Sequence, residues 1–313
     1  MHGWPCARLL GGGRPMISNS LLVLNGKGGV LKTTLTAQLA GLAALSGWKV
    51  LAVDLDQQAN LARDLGYASR SDGGRSMYEA CVEGSPLSPL VDVRPGLDVV
   101  PAGPDTMRLY REIANGPGGA LVPAYDQIDR VLTPLASRYN LILIDSPPGG
   151  EAVHLAAMTA ARHVVVPTQP DQASVDGLAT VFRSLLSVKR TTNPAIDVLG
   201  VVLGPVPSQA TRMRVDTMAT LEALLKGKVH VFERTVRTAQ LVAVHCRDLG
   251  MLVHEYEEAA RTQSMPWYKL SREQRRSQRS YSSAAPGLAE DYQQLANEIL
   301  ARFSEPGLQG TAA

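Results

Sequence analysis

Cysteine is scarce in this chain: there are three in 313 residues, Cys6, Cys81 and Cys246. They lie far apart, are odd in number and form no CxxC pair. Neither a disulfide framework nor a zinc site is implied, and a reducing cytoplasm is the expected compartment. Long apolar runs are also missing. No stretch of about 18 apolar residues occurs, which argues against a membrane-spanning helix. A charge of one sign is lacking as well. Lysine and arginine number 31 against 29 acidic residues, a net charge of +2. The chain as a whole is no polycation, so any nucleic-acid surface must come from local clustering. The stretch Met1–Pro15 is rich in glycine and arginine and lacks the apolar core of a signal peptide. It reads as a disordered tail, with Met16 as a second candidate start, and is too short for a helix-turn-helix domain. No internal repeat is visible.

What is present is apolar patterning. Hydrophobic residues make up 45% of the chain, enough for one large core or a core with a small appendage. Six short segments are apolar without alternation: Leu21–Leu24, Val50–Val53, Leu97–Val100, Leu141–Ile144, His163–Pro167 and Val198–Val202. Strands covered on both faces read this way. Helical patterns lie between them, over Thr34–Ser46, Ala152–Ala161 and Val175–Lys189. This alternation predicts an α/β fold with an open, mostly parallel sheet and helices on both faces. Gly103–Pro123 reads as surface loop with a short helix. Leu288–Phe303 places Tyr292, Leu295, Ile299, Leu300 and Phe303 on one face, predicting a helix packed back on the sheet.

The strongest motif is Asn25-Gly26-Lys27-Gly28-Gly29-Val30-Leu31-Lys32-Thr33-Thr34, directly after a strand and opening a helix. A Gly-rich turn there lets backbone N–H groups face phosphate oxygens, and the helix N-terminus adds favourable partial charge. Lys32 is expected to reach the β- and γ-phosphates and the Thr33 hydroxyl to ligate Mg²⁺. Taken as mere chain reversal, the loop would need neither Lys32 nor Thr33.

This P-loop resembles the deviant Walker A motif, KGGxGK[ST], of the ParA/MinD family of ATPases. The diagnostic residue is Lys27, a second lysine ahead of Lys32. The resemblance implies that Lys27 crosses a dimer interface to the phosphates of the partner's ATP, while Gly28, Gly29, Val30, Leu31, Lys32, Thr33 and Thr34 line the nucleotide. The chain departs from the family at Leu31, where glycine is usual. A loop with negative φ there tolerates leucine, whereas one needing close backbone approach does not. Since every other charged part is present, ATP binding is expected to persist.

Three further motifs follow in family order. Val53-Asp54-Leu55-Asp56-Gln57-Gln58-Ala59-Asn60 is similar to the element usually written DxDPQGN. The resemblance gives Asp56 the role of orienting the attacking water and Asp54 that of supporting Mg²⁺ through water. Gln57 and Ala59 depart from the usual proline and glycine. An apolar strand running into Asp145-Ser146-Pro147-Pro148 resembles Walker B, with Asp145 holding a Mg²⁺-bound water. Val164–Pro170 resembles the family's next strand, near the dimer interface. Each acid has a plainer reading as well, a helix cap or a strand ending at a turn.

ParA-type members bind DNA without sequence preference as ATP dimers, and a ParB-type centromere-binding partner stimulates hydrolysis. The resemblance therefore implies a cytoplasmic, nucleoid-associated homodimer with ATP sandwiched between protomers. Candidate DNA contacts are Arg212 and Arg214 at the start of a helical stretch over Thr211–Leu225, and Arg234 and Arg237 in a segment similar to the family's C-terminal signature. A basic insertion at about 261–283 adds Arg272, Arg275 and Arg276, with Trp267, Tyr268 and Tyr281 nearby, a composition suited to phosphate backbone. Both sets also read as solvated surface.

MinD-like members end in a basic membrane helix. Here the last helix carries Glu290, Asp291 and Glu298, so membrane binding is not expected. A nitrogenase-iron-protein-like reductase needs cluster-binding cysteines that the sequence lacks. Two alternatives stay open: a positioning ATPase for a non-DNA cargo, and a DNA-binding module whose ATPase is impaired by Leu31. The expected organisation is a tail over 1–17, one ATPase domain over 18–303 and a tail over 304–313.

Overall fold

The computed structural model describes residues 17–116, 123–263 and 282–305. Its centre is a seven-stranded sheet: β1 Ser20–Val23, β2 Val50–Asp54, β3 Leu90–Arg94, β4 Leu97–Val100, β5 Leu141–Asp145, β6 His163–Thr168 and β7 Asp197–Leu203, in the order β3-β4-β2-β5-β1-β6-β7. All pairings are parallel except β3 with β4.

The continuous apolar runs have a direct cause. Successive side chains of a strand point to opposite faces, and both faces are covered. Leu22, Leu24, Leu51, Val53, Ile142, Ile144, Val164 and Val166 enter one core. Leu21, Val23, Val50, Ala52, Leu141, Leu143 and Val165 enter the other.

The first core is closed by α4 Pro104–Asn115, α5 Gln127–Leu132, α6 Glu151–Ala160, α7 Gln172–Arg190 and α8 Thr211–Leu225. Short α3 (Arg75–Tyr78) runs into a π-helical turn over Glu79–Glu83 and completes that side. The second core is closed by α1 Lys32–Leu45, α2 Asn60–Asp64, α9 Gln240–Leu249, α10 Val253–Gln263 and α11 Ala285–Phe303. The α11 helix buries Leu288, Tyr292, Leu295, Ile299 and Phe303, the apolar face expected from its spacing. Phe303 meets His163 edge-on, with ring centroids 5.5 Å apart.

Three expectations need correction. The strand β3 is absent from the sequence reading, because Leu90–Arg94 is a half-exposed edge strand carrying Asp92 and Arg94. Exposed, charged edges are how sheets avoid pairing with other chains. The segment after Gly103 is no surface loop for most of its length. It forms twelve-residue α4, which buries Leu109 and Ile113. Pro104 stands in its first turn, where a missing N–H costs nothing. Ile17, assigned to the tail, is buried, and its carbonyl accepts bonds from Ser20 N–H and Oγ. The remainder of the N-terminal tail, most of the basic insertion and all but Ser304 and Glu305 of the C-terminal tail lie outside the described residues.

Candidate nucleotide site

The site forms at the C-terminal edge of β1, β2 and β5, where ligands bind in open α/β sheets. The loop 25–31 leaves β1 and turns into α1. Its shape is held from β6 and the residues after it. Asn25 Nδ2 donates to Pro167 O (2.8 Å), and Gln169 Nε2 donates to Gly29 O (2.9 Å). Lys27 N–H donates to Asn25 Oδ1 (2.9 Å). The fourth motif thus braces the P-loop.

Gly29 has φ +76° and needs glycine's freedom. Leu31 stands at φ 66°, ψ 11° and caps α1. Of the two backbone readings left open at Leu31, the negative φ is not the one adopted. The backbone keeps the left-handed shape natural to glycine and imposes it on leucine, whose side chain is half-buried against the second core. Ala59 repeats this at φ 50° before α2. Both sites are departures from the family's glycines, and both retain a glycine-favouring backbone. A left-handed conformation costs a residue with a Cβ about 1–2 kcal/mol.

Lys32 is buried, and its Nζ donates to Lys27 O at 2.8 Å. Burial lowers its pKa, while Asp145 and Asp56 oppose that effect. Asp54 and Asp145 end neighbouring strands in register and are both buried. Burial pushes the Asp145 carboxyl up to about 7, against hydrogen bonds from Thr33 and Thr36 and the charge of Lys32. Thr36 Oγ1 donates to Asp145 Oδ1 at 3.1 Å. Burial, and then the charge of Asp145, push Asp54 well above the usual carboxylate range.

One oxygen of each acid, Asp54 Oδ2 and Asp145 Oδ2, is buried without a hydrogen-bond partner. Two orphaned carboxylate oxygens beside a threonine hydroxyl form a hard, all-oxygen donor set, the chemistry that suits Mg²⁺. Among the described residues no group of three His, Cys, Asp or Glu side chains could hold a metal alone. The donor set fits an ion shared with a nucleotide's phosphates. Asp56 is held nearby: its N–H donates to Asp54 Oδ1 (2.8 Å), and its own Oδ1 accepts from Gln58 N–H (3.0 Å).

Lys27 lies in cis on the start of α7. Its Nζ donates to both Asp171 oxygens at 3.0 Å and to Ser174 Oγ at 2.8 Å. Asp171 is the N-cap of α7, accepting from Ser174 N–H. Thr34 turns its hydroxyl to Asp64 Oδ2 (3.1 Å), and Arg247 Nε donates to Asp64 Oδ1 (2.7 Å). Thr34 therefore ties α1 to α2, and its side chain is directed to Asp64. His154, on α6, donates from Nε2 to Pro147 O at 2.9 Å and steadies the Pro-Pro turn behind Asp145. Burial keeps this histidine's pKa below its usual value.

Sequence reading passes over Thr36, Asp171, Ser174, Asp64 and His154. Two of them carry a signal. Thr36 stands one turn after Thr33 on the same helix face, and Asp171 three residues before Ser174 is a helix-start pattern.

The DNA candidates divide. Arg212 and Arg214 are exposed in the first turn of α8. Arg237 is engaged: its backbone N–H, Nε and Nη2 donate to Asp291 at 2.9, 2.6 and 2.7 Å. Its guanidinium lies over Gly287, where an added Cβ would approach Nη1 to 2.3 Å. Arg234 Nη1 donates to Gln294 Oε1 (2.9 Å), and its N–H donates to Glu298. Both arginines of this pair tie their segment to α11. Arg272, Arg275 and Arg276 lie outside the described residues. Among the described residues no helix is long and apolar enough to cross a membrane.

Residues 18–198 match a family model described as an AAA domain. The chain is 32% identical over 222 residues to a chromosome-partitioning ATPase, Soj, of Thermus thermophilus, covering 70% of this chain and 83% of the relative. Among solved structures it is similar to a Cyanothece McdA variant in complex with ATP, with TM-score 0.70, 18% identity, and 92% and 98% of the two chains covered. It is also similar to cobyrinic acid a,c-diamide synthase of Mycobacterium smegmatis bound to an ATP analogue and magnesium, with TM-score 0.67, 23% identity, and 92% and 96% covered. The P-loop with its second lysine, the strand-end acids and these matches agree. The chain belongs to the ParA/MinD family of P-loop NTPases, ATPases that bind ATP with Mg²⁺.

Proposed function

We propose that this chain is a positioning ATPase whose ATP-bound dimer engages a surface and whose hydrolysis releases it. The observation that carries this reading is Lys27. Its ammonium rests on Asp171 beside the P-loop, on a loop braced from β6, with a second lysine already buried inside the site. A single nucleotide needs one P-loop lysine. A second is explained by phosphates presented by another protomer, where concentrated negative charge can attract it. In this reading Lys32 and the N–H groups of residues 28–34 hold the β- and γ-phosphates. Thr33, Asp54 and Asp145 hold Mg²⁺, which neutralises developing phosphate charge when bound. Asp56 aligns the attacking water. Lys32→Ala is expected to lose ATP binding, measured by calorimetry, and unchanged affinity would sink the assignment. Asp56→Ala is expected to bind ATP and accumulate as a dimer.

The surface reading we favour is a cargo other than DNA. Of the four arginines marked within the described residues, Arg234 and Arg237 are engaged by α11, leaving only Arg212 and Arg214 open. A DNA track is the second reading, supported by the 32% identity to a chromosome-partitioning ATPase. It brings with it a ParB-type partner and a nucleoid location. DNA binding with ATP, with ADP and without nucleotide, at two salt concentrations, separates them. Salt-sensitive binding with ATP alone supports the DNA track. No binding in any state supports the non-DNA cargo. Binding indifferent to nucleotide would instead favour a DNA-binding module without a working switch.

A further inference from the structure

The helix α4, which carries no family motif, places Tyr110 against the turn that bears Asp56. The Tyr110 hydroxyl donates to the backbone carbonyl of Leu55, the residue just before Asp56 and 55 positions away along the chain. Further bonds define the same turn, Ala59 N–H to Asp56 O at 2.8 Å among them. Asp56 N–H reaches Asp54, Gln58 N–H reaches Asp56, and Leu55 N–H donates to Asp145 O at 3.0 Å. The Leu55 residue is thereby gripped at both ends, by the Walker B strand through its N–H and by Tyr110 through its carbonyl.

The helix is itself well anchored. Thr106 Oγ1 accepts from Gly103 N–H at 2.9 Å, and Leu109 and Ile113 are buried on either side of Tyr110. Gly103 packs so tightly on Gly73 that an added Cβ would lie 2.7 Å from its Cα. The phenol ring is partly buried against the first core, so its hydroxyl is delivered from a fixed base. Core packing alone would be served by phenylalanine and does not explain a hydroxyl turned inward at this carbonyl.

We propose that Tyr110 is a positioning residue for ATP hydrolysis, holding the Leu55–Asp56 peptide so that the Asp56 carboxylate stays aligned on the attacking water. This rests on the reading of Asp56 given above. Without the hydroxyl the Leu55 carbonyl loses its bond to α4 and is free to turn, and a carboxylate misplaced by about 1 Å can cost on the order of 100-fold in rate. The Lys32 ammonium is held by Lys27 O, not by a hydrogen bond to this turn. Loss of the hydroxyl should therefore affect hydrolysis and spare ATP binding.

The test uses the full chain with Tyr110→Phe, which keeps the ring and removes only the hydroxyl. ATP affinity is measured with Mg²⁺, alongside single-turnover hydrolysis and thermal midpoint. The expected result is hydrolysis slowed about tenfold or more, with ATP affinity within about twofold and the midpoint within a few degrees. Hydrolysis within about twofold of wild type overturns the proposal. So does a loss of ATP affinity that accounts for the whole loss of rate. Asp56→Asn is run in parallel. If it hydrolyses ATP normally, the assignment of Asp56 fails. That outcome is distinct from near-wild-type hydrolysis by Tyr110→Phe beside an impaired Asp56→Asn, which removes the role of Tyr110 alone.

Discussion

At the scale of single residues the site stores unfavourable energy in two forms. The first is backbone. Ala59 sits in a left-handed conformation at φ 50°. Replacing it with glycine removes a Cβ penalty of about 1–2 kcal/mol and returns part of it as unfolded-state entropy. Ala59→Gly is expected to stabilise the protein by about 0.5–1 kcal/mol, read from denaturant unfolding. Leu31→Gly gains less, because leucine also contributes packing against the second core. The second form is electrostatic. Folding raises the pKa of Asp145 to about 7 and raises that of Asp54 as well. Between the ordinary carboxylate range near 4 and that value, the folded state keeps a proton that the unfolded chain has lost. Nucleotide-free stability therefore falls as pH rises through this window. Melting at about pH 5.5 and 7.5 checks the sign. Asp145→Asn is expected to flatten the dependence and to raise the midpoint at the higher pH, while abolishing Mg²⁺-dependent hydrolysis. A midpoint that climbs from pH 5.5 to 7.5 in the nucleotide-free wild type, and not in the variant, would refute this account.

At the scale of elements, α11 closes the second core and fastens the segment before α9. Phe303 is buried with its ring against His163 and within 6.3 Å of the Trp48 ring centroid. Phe303→Ala should cost about 3–5 kcal/mol, as large-to-small changes at aromatic core sites do. Arg237 contributes differently. Its three bonds to Asp291 hold the 232–239 segment, so Arg237→Ala should lower the midpoint. A reduced DNA affinity in that variant, unaccompanied by a lower midpoint, would instead mark the arginine as a phosphate contact. The companion change Arg212→Ala should leave the midpoint unmoved, because that side chain is 96% exposed and faces Asp216 only at 3.9 Å.

At the scale of the whole molecule the proposed dimer turns on Lys27. Lys27 is half-exposed and held by Asp171 and Ser174, so the residue expected to act across the interface is occupied in cis. Although burial pushes the other way, the bonds from Ser174 and Lys27 together hold the Asp171 carboxyl below its usual range. An exposed ion pair of this kind is worth little, about 0–1 kcal/mol, which makes it easy to exchange for phosphates. Lys27→Ala is expected to leave ATP binding intact while losing ATP-dependent dimerisation in the Asp56→Ala background, read by light scattering. A dimer that persists would show that Lys27 is not needed in trans.

Much of the fold was legible because the sheet is buried on both faces. That forces unbroken apolar runs, and the six expected segments overlap six of the seven strands. The edge strand β3 escaped because it lies half in water and needs no such run. The phosphate loop was legible because its chemistry is local: glycines, Lys32 and Thr33 are consecutive on one turn. What the tertiary structure alone decided is contact between distant segments. The sequence contains Asp54 and Asp145, but only the register of β2 beside β5 brings them together and strands one oxygen of each. It contains Arg237, but only the path of α11 brings Asp291 within hydrogen-bond reach of it. It contains Tyr110, but only the packing of α4 sets a hydroxyl on the carbonyl before Asp56. Local patterns encode elements through short-range sterics and hydrophobic periodicity. Pairings across tens of residues depend on how those elements stack, which no local pattern records.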